Sequence, residues 1–298
     1  MNKKSETGAG RKLWRVFYPA LAYNGVSYLV SLLATFVIMG AVSLQYDSIH
    51  TAALYQEFLE KVLEISLSYA YEIQAAAALL SIPLMMWFLR MDKKRKKAEG
   101  TWRVYEKVAP MHYLFVLLLG LAASFAANNM MVISGLAGAS EEYTQLTESF
   151  FKGNLAIEFL GLGLIIPIAE EMVFRGLMYE RMKEILDFKW AVVLAAFSFG
   201  VVHGNLVQGV FSFFLGLLMI YVYERYHSLL APVLFHMASN ILAVIQSETG
   251  FLEGLLKGPA LFYGSTLAMS GVLVGMVLLI EKYVQAGEVL EEAAAGET

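Results

Sequence analysis

The chain contains no cysteine, which excludes a disulfide framework, a thiol nucleophile and any Cys-based metal site. Charge is scarce too: 16% of its residues are charged, where a soluble domain carries roughly 25%. No His-Glu-x-x-His helix of the zinc peptidase kind occurs, and there is no evident internal repeat. What fills the chain instead is apolar, 58% of 298 residues with a mean hydropathy of +0.59. This composition describes a polytopic membrane protein. Its spans are helical, because an open sheet cannot satisfy its backbone groups in lipid. The net charge of -4 carries little information about partners, since the charges are segregated along the chain.

A span needs about 20 mainly apolar residues. The hydropathy pattern predicts an all-α bundle of about eight, near 17–44, 69–89, 109–136, 155–174, 190–207, 208–225, 232–247 and 260–281. One long apolar run must turn back on itself near Asn205–Gln208. The run after the basic segment 1–16 is too long for the core of a cleaved signal peptide and reads as a retained span. Lys and Arg concentrate on one side, including Arg90 and Lys93–Lys97, and leave only Lys61, Lys152 and Lys257 on the other. The positive-inside rule then predicts both termini in the cytoplasm.

The expected organisation is a basic N-terminus, 1–16, and accessory spans over 17–154. Within the latter lie an outer amphipathic segment, 45–68, and a basic loop, 90–107. A core at 155–247, a last span at 248–283 and an acidic tail at 284–298 complete the chain. In the outer segment, Leu54, Phe58, Val62, Ile65 and Tyr69 recur at helical spacing. That stripe suits either the membrane surface or packing on the outer helix ends.

Ionisable groups inside spans are costly and by default mark a functional site. Glu170 and Glu171 end the apolar run 155–167 and precede Arg175. Glu171 has Arg175 four residues on, as an i,i+4 partner. Glu170, about 100° away around the helix, has none. Arg175, Arg181 and Lys183 predict that this helix leaves the bilayer soon afterwards, so both carboxylates are expected one or two turns inside the cytoplasmic leaflet. His203 follows Phe199 by one turn and, if spans four and five form a hairpin about Asp187, lies at the depth of Glu170. His236 and Asn240 share a helix face. Glu72 and Gln74 are assigned to an outer helix end that reaches water, Asn128 and Asn129 to bridging helices near the outer end of their span, Glu158 to the outer face, and Glu224 and Arg225 to each other or to the surface.

Two glutamates, two histidines and an asparagine, without a placed Ser or Cys, point to water as the attacking group. The remaining histidine and the amide are available to an oxyanion. Hydrolysis of an amide bond in or beside the membrane is the implied reaction. A zinc site is the alternative use of the same residue types.

Glu170-Glu171-x-x-x-Arg175, Phe199-x-x-x-His203 and His236-x-x-x-Asn240 resemble the three motifs of the CPBP (CAAX protease and bacteriocin-processing) family, which includes the Ras-converting CAAX endopeptidases. The similarity covers about 155–247. It implies an intramembrane glutamic endopeptidase with a cavity toward the cytoplasm and no required cofactor. By the same resemblance Glu170 and His203 activate water, His236 and Asn240 form the oxyanion hole, and Arg175 holds Glu171. The expected partners are membrane lipids and a membrane-associated protein or peptide substrate, with no nucleic acid; neither oligomeric state nor prenylation of the substrate follows. A non-catalytic membrane scaffold, or a bacteriocin-immunity or regulatory protein, is the competing reading of the same family.

Overall fold

The computed structural model describes residues 3–46, 51–136, 155–249, 254, 257–284 and 289–290. Nine longer helical elements follow in order among these residues, the fourth preceded by a 3-10 turn at Pro110–His112. They are α1 (Lys3–Ser43), α2 (Ala52–Ser68), α3 (Ala70–Ala98), α4 (Tyr113–Ile133), α5 (residues 155–182), α6 (Phe188–Val201), α7 (Leu206–Tyr226), α8 (Leu230–Thr249) and α9 (Pro259–Tyr283). Apart from the two-residue antiparallel pairing of Val104–Tyr105 with Val289–Leu290, the regular structure is helical.

Five helices among the described residues are long and apolar enough to cross a membrane, not about eight. They are Gly10–Ser43, Ala70–Ala98, Pro110–Ile133, Leu206–Tyr226 and Pro259–Tyr283. The other expected spans fall short for a physical reason. Phe188–Val201 and Leu230–Gln246 are apolar but short. In α5 the α-helix is interrupted by wider π-helical turns at Gly161–Ile165 and Met172–Tyr179. The three elements that fail as spans therefore carry the polar motifs. The chain is a multi-pass integral membrane protein of the cell membrane.

One end of the bundle is a charged layer. Arg15 bridges Asp92 and Glu184, Arg181 Nε donates to Asp92 Oδ2 at 2.6 Å, and Lys96 reaches Glu180 at 2.7 Å. Lys183 joins Glu224 at 2.7 Å, and Arg225 pairs with Glu281. Glu224 and Arg225 thus reach different helices rather than each other. Tyr226 Oη donates to the His112 carbonyl, and His227, at φ 46, stacks on Tyr105 at 3.7 Å. These contacts gather at one end the starts of α1 and α4 and the finishes of α3, α5, α7 and α9.

At the opposite end α2 packs on α1 through Phe58 and Val62 against Val42, Ile38 and Tyr46. Asn129 donates to Thr266 Oγ1 at 2.8 Å and ties α4 to α9. The turn between α6 and α7 falls at Val202–Asn205. Gly204 adopts φ +78, and Asn205 Oδ1 accepts from the Gln208 N–H to cap α7. A Cβ on Gly200 would lie 2.6 Å from the Gly209 carbonyl, so only glycine lets α6 and α7 close this tightly.

Candidate active site

The two glutamates sit on the short α-helical stretch Ile166–Glu171 between the π turns of α5. Such π turns are frequent at functional sites, and here the local cause is legible. In the first of them the Ile166 N–H bonds to the Gly161 carbonyl, five residues back. The next donor in that register is Pro167, which has no N–H. The Leu162 carbonyl is left to a side chain, and Asn240 Nδ2 of α8 supplies the bond at 2.9 Å. An amide has two N–H groups, so Asn240 keeps one for the cavity it lines.

Glu171 is fully buried, and its Oε1 accepts from Arg175 Nη1 at 2.8 Å and from His236 Nδ1 at 2.9 Å. The guanidinium also donates to the Gly216 carbonyl at 3.4 Å and lies 4.2 Å from the Phe199 ring centre. An isolated charge this deep would be very costly, so both partners are needed. Because an ionised carboxylate only accepts, Nδ1 of His236 carries a proton, and Nε2 is the nitrogen turned toward Glu170 Oε2, 3.8 Å away. Glu170 is 15% exposed and lines the cavity. His236 thus sits between the two carboxylates, a link that the i,i+4 reading of Glu171 with Arg175 did not anticipate.

His203 Nδ1 meets the Phe199 carbonyl at 2.8 Å. A carbonyl also only accepts, so this nitrogen holds the proton and Nε2 is left as the basic one. Phe199 packs edge-on against His203 at 4.9 Å, His236 at 5.6 Å and Phe174 at 5.1 Å. One ring therefore sets the positions of both imidazoles and of Arg175.

Glu170, His203, His236, Asn240 and Phe199 all line one cavity of about 550 Å³. Glu171 and Arg175 stand behind that wall. Sequence reasoning placed Gln74 at a wet helix end and Asn128 as a helix bridge and did not single out Tyr71, Gln208 or Gln246, yet all five line the same cavity. The i,i+4 spacing of Ser124 and Asn128, matching that of His236 and Asn240, was a signal for this face. Glu158 lies fully buried and outside the cavity lining. Among the described residues no three His, Asp or Glu side chains are grouped to hold a metal ion.

At about 1.5 Å per residue, the path from Glu170 to Lys183 in the charged layer covers roughly 15–20 Å. That is about three turns of helix between the carboxylates and the charged layer.

Comparison with known proteins agrees with the motif reading. Residues 152–242 match the model of the type II CAAX prenyl endopeptidase Rce1-like family. The chain is 23% identical over 207 residues to YdiL of Bacillus subtilis (strain 168), a protein whose assignment as a membrane peptidase is itself provisional. That match covers 59% of this chain and 85% of the relative. No solved structure matches. The matched segment holds a Glu/His cluster buried among the helices, so this part of the chain is similar to the type II CAAX prenyl endopeptidase Rce1-like family, an intramembrane peptidase type.

Proposed function

We propose that the chain cleaves a peptide bond of a lipidated or membrane-embedded polypeptide, with Glu170 and His203 activating the water. The observation that carries this reading is His236, held by Glu171 at 2.9 Å and facing Glu170 at 3.8 Å in the wall of a cavity shared with His203 and Asn240.

In this mechanism Glu170 or His203 Nε2 takes a proton from water while the oxygen adds to the scissile carbonyl carbon. The developing oxyanion accepts from the free N–H of Asn240 and from Nε2–H of His236 once that ring is protonated on both nitrogens. The protonated base then returns its proton to the leaving nitrogen as the C–N bond breaks. Water is consumed, and one carboxylic acid and one amine are released. Arg175 and Glu171 remain behind the wall and keep His236 in one orientation, as an orienting carboxylate does in other acid–base sites.

The test compares membrane peptides in cells carrying the wild-type chain with those carrying Glu170→Gln, His203→Ala or His236→Ala. Peptides that accumulate in all three variants, with each protein purified as a folded species in detergent, support the assignment. Unchanged peptide profiles together with a retained biological effect would instead favour a non-catalytic scaffold.

A further inference from the structure

The cavity and the charged layer lie at opposite ends of the bundle. The cavity begins at Glu170 and His236 and runs away from the layer, past Leu162 on α5 and Asn240 on α8, to Gln246. It reaches Tyr71 and Gln74 in the first turns of α3, whereas Asp92, Arg95 and Lys96 near the other end of that helix belong to the layer. On α4 it is lined by Asn128 and Met131, at the end remote from His112. On α7 it takes in Val207 and Gln208, at the end remote from Glu224. Gln74, Val202 and Ala243 at this far end are exposed, whereas Glu171 and His236 at the near end are buried.

Basic residues divide in the same way. Arg15, Lys93, Lys94, Arg95, Lys96, Arg181, Lys183, Arg225 and Lys282 lie at or near the charged end. Among the described residues only Lys61 and Lys257 are on elements of the other end. Cytoplasmic segments of membrane proteins carry the Lys and Arg excess, so the charged layer faces the cytoplasm and the cavity faces away from it.

The far half of the cavity is polar without being charged. Gln74, Asn128, Gln208 and Gln246 bring amides to it, and Gln246 Nε2 is buried with no hydrogen-bond partner among the described residues. A buried unpaired amide N–H carries a penalty that a bound acceptor removes. Amides that both donate and accept suit the backbone of an extended peptide better than a charged head group.

We infer that the peptidase is served from the non-cytoplasmic side, and that its substrate is an uncharged, extended stretch of polypeptide presented at the outer face of the membrane. This rests on the peptidase reading above for the identity of the substrate, but the direction of access does not. It departs from the cytoplasm-facing cavity that family resemblance implies.

The chain's lack of cysteine supplies a clean background for the test. Single variants Gln74→Cys, Ala243→Cys and Lys94→Cys of the full chain are treated with a membrane-impermeant maleimide in right-side-out and inside-out vesicles. Only variants that elute as one folded species in detergent are scored. Both cavity-end cysteines should react in right-side-out vesicles and lose labelling in inside-out ones, with Lys94→Cys showing the reverse. Labelling of the cavity-end cysteines only from the cytoplasmic face, or from neither, overturns the inference. An unchanged peptide profile in the Glu170→Gln strain, by contrast, overturns the peptidase roles and leaves the direction of access standing.

Discussion

Glu170 and Glu171 are adjacent in the chain, yet about 100° of helix rotation sends one into the cavity and the other into a buried ion pair. Their substitutions should therefore separate. Glu171→Gln leaves the Arg175 guanidinium buried without its counter-charge, and removing one partner of such a pair costs about 3–5 kcal/mol. Thermal unfolding in detergent should show that loss. Glu170→Gln has no ion pair closer than 3.8 Å to break, so its melting temperature should stay near wild type. Its cleavage rate should fall by about 10²–10⁴-fold, the range supplied by a positioned acid–base group. Equal destabilisation of the two variants would contradict this division. The motif residues were legible in the chain because lipid makes unpaired carboxylates costly. The bond from His236 to Glu171 was not, since it joins helices 65 positions apart in sequence.

At the scale of the element, α5 is defined by its departures from α-helix. Pro167 withholds an N–H, the Leu162 carbonyl goes unpaired along the backbone, and Asn240 crosses from α8 to meet it. Asn240→Ala should cost about 1–3 kcal/mol, because a buried acceptor is left without a partner. In a Pro167→Ala background the backbone regains a donor, so the same substitution should cost less. A double-mutant cycle measured by unfolding should give a coupling of about 1 kcal/mol or more. Strict additivity would mean that Pro167 and Asn240 act independently. The apolar run that makes up α5 could be read from composition, and so could the turn near Asn205. The partner of the freed carbonyl could not, because Asn240 reaches Leu162 from a helix 78 positions away in sequence.

For the whole molecule, the charged layer joins helix ends that are far apart in sequence, and two of its groups, Glu180 and Lys183, lie outside the five membrane-length helices. Burial pushes the Glu180 carboxyl up, but Lys183 and Lys96 beside it more than offset this and hold it below its ordinary value. Burial likewise lowers Lys183, while Glu180 and Glu224 outweigh that and raise it. A depressed carboxylate stabilises the fold above its unfolded pKa, and this contribution is lost as pH falls through the folded value. A raised lysine stabilises below its unfolded pKa, and loses that contribution as pH rises through the folded value. The melting-temperature gap between wild type and Glu180→Gln should accordingly be open at neutral pH and close in acid, below the ordinary carboxylate range. A gap that stays constant into acid would show that the Glu180 charge contributes nothing to the layer.

The sequence by itself determined that this is a helical membrane protein, that its cations collect on one side, and that five polar positions interrupt its apolar runs in a pattern resembling a hydrolytic motif set. Each of these follows from transfer free energies and helical spacing, which act locally along the chain. Tertiary structure alone decided how many helices are long enough to cross, which imidazole the buried glutamate holds, and toward which end the cavity runs. Those outcomes depend on how helices distant in sequence pack together. Short apolar helices cross-linked through Arg175, His236 and Asn240 can stand in a bundle where hydropathy alone predicted full-length spans.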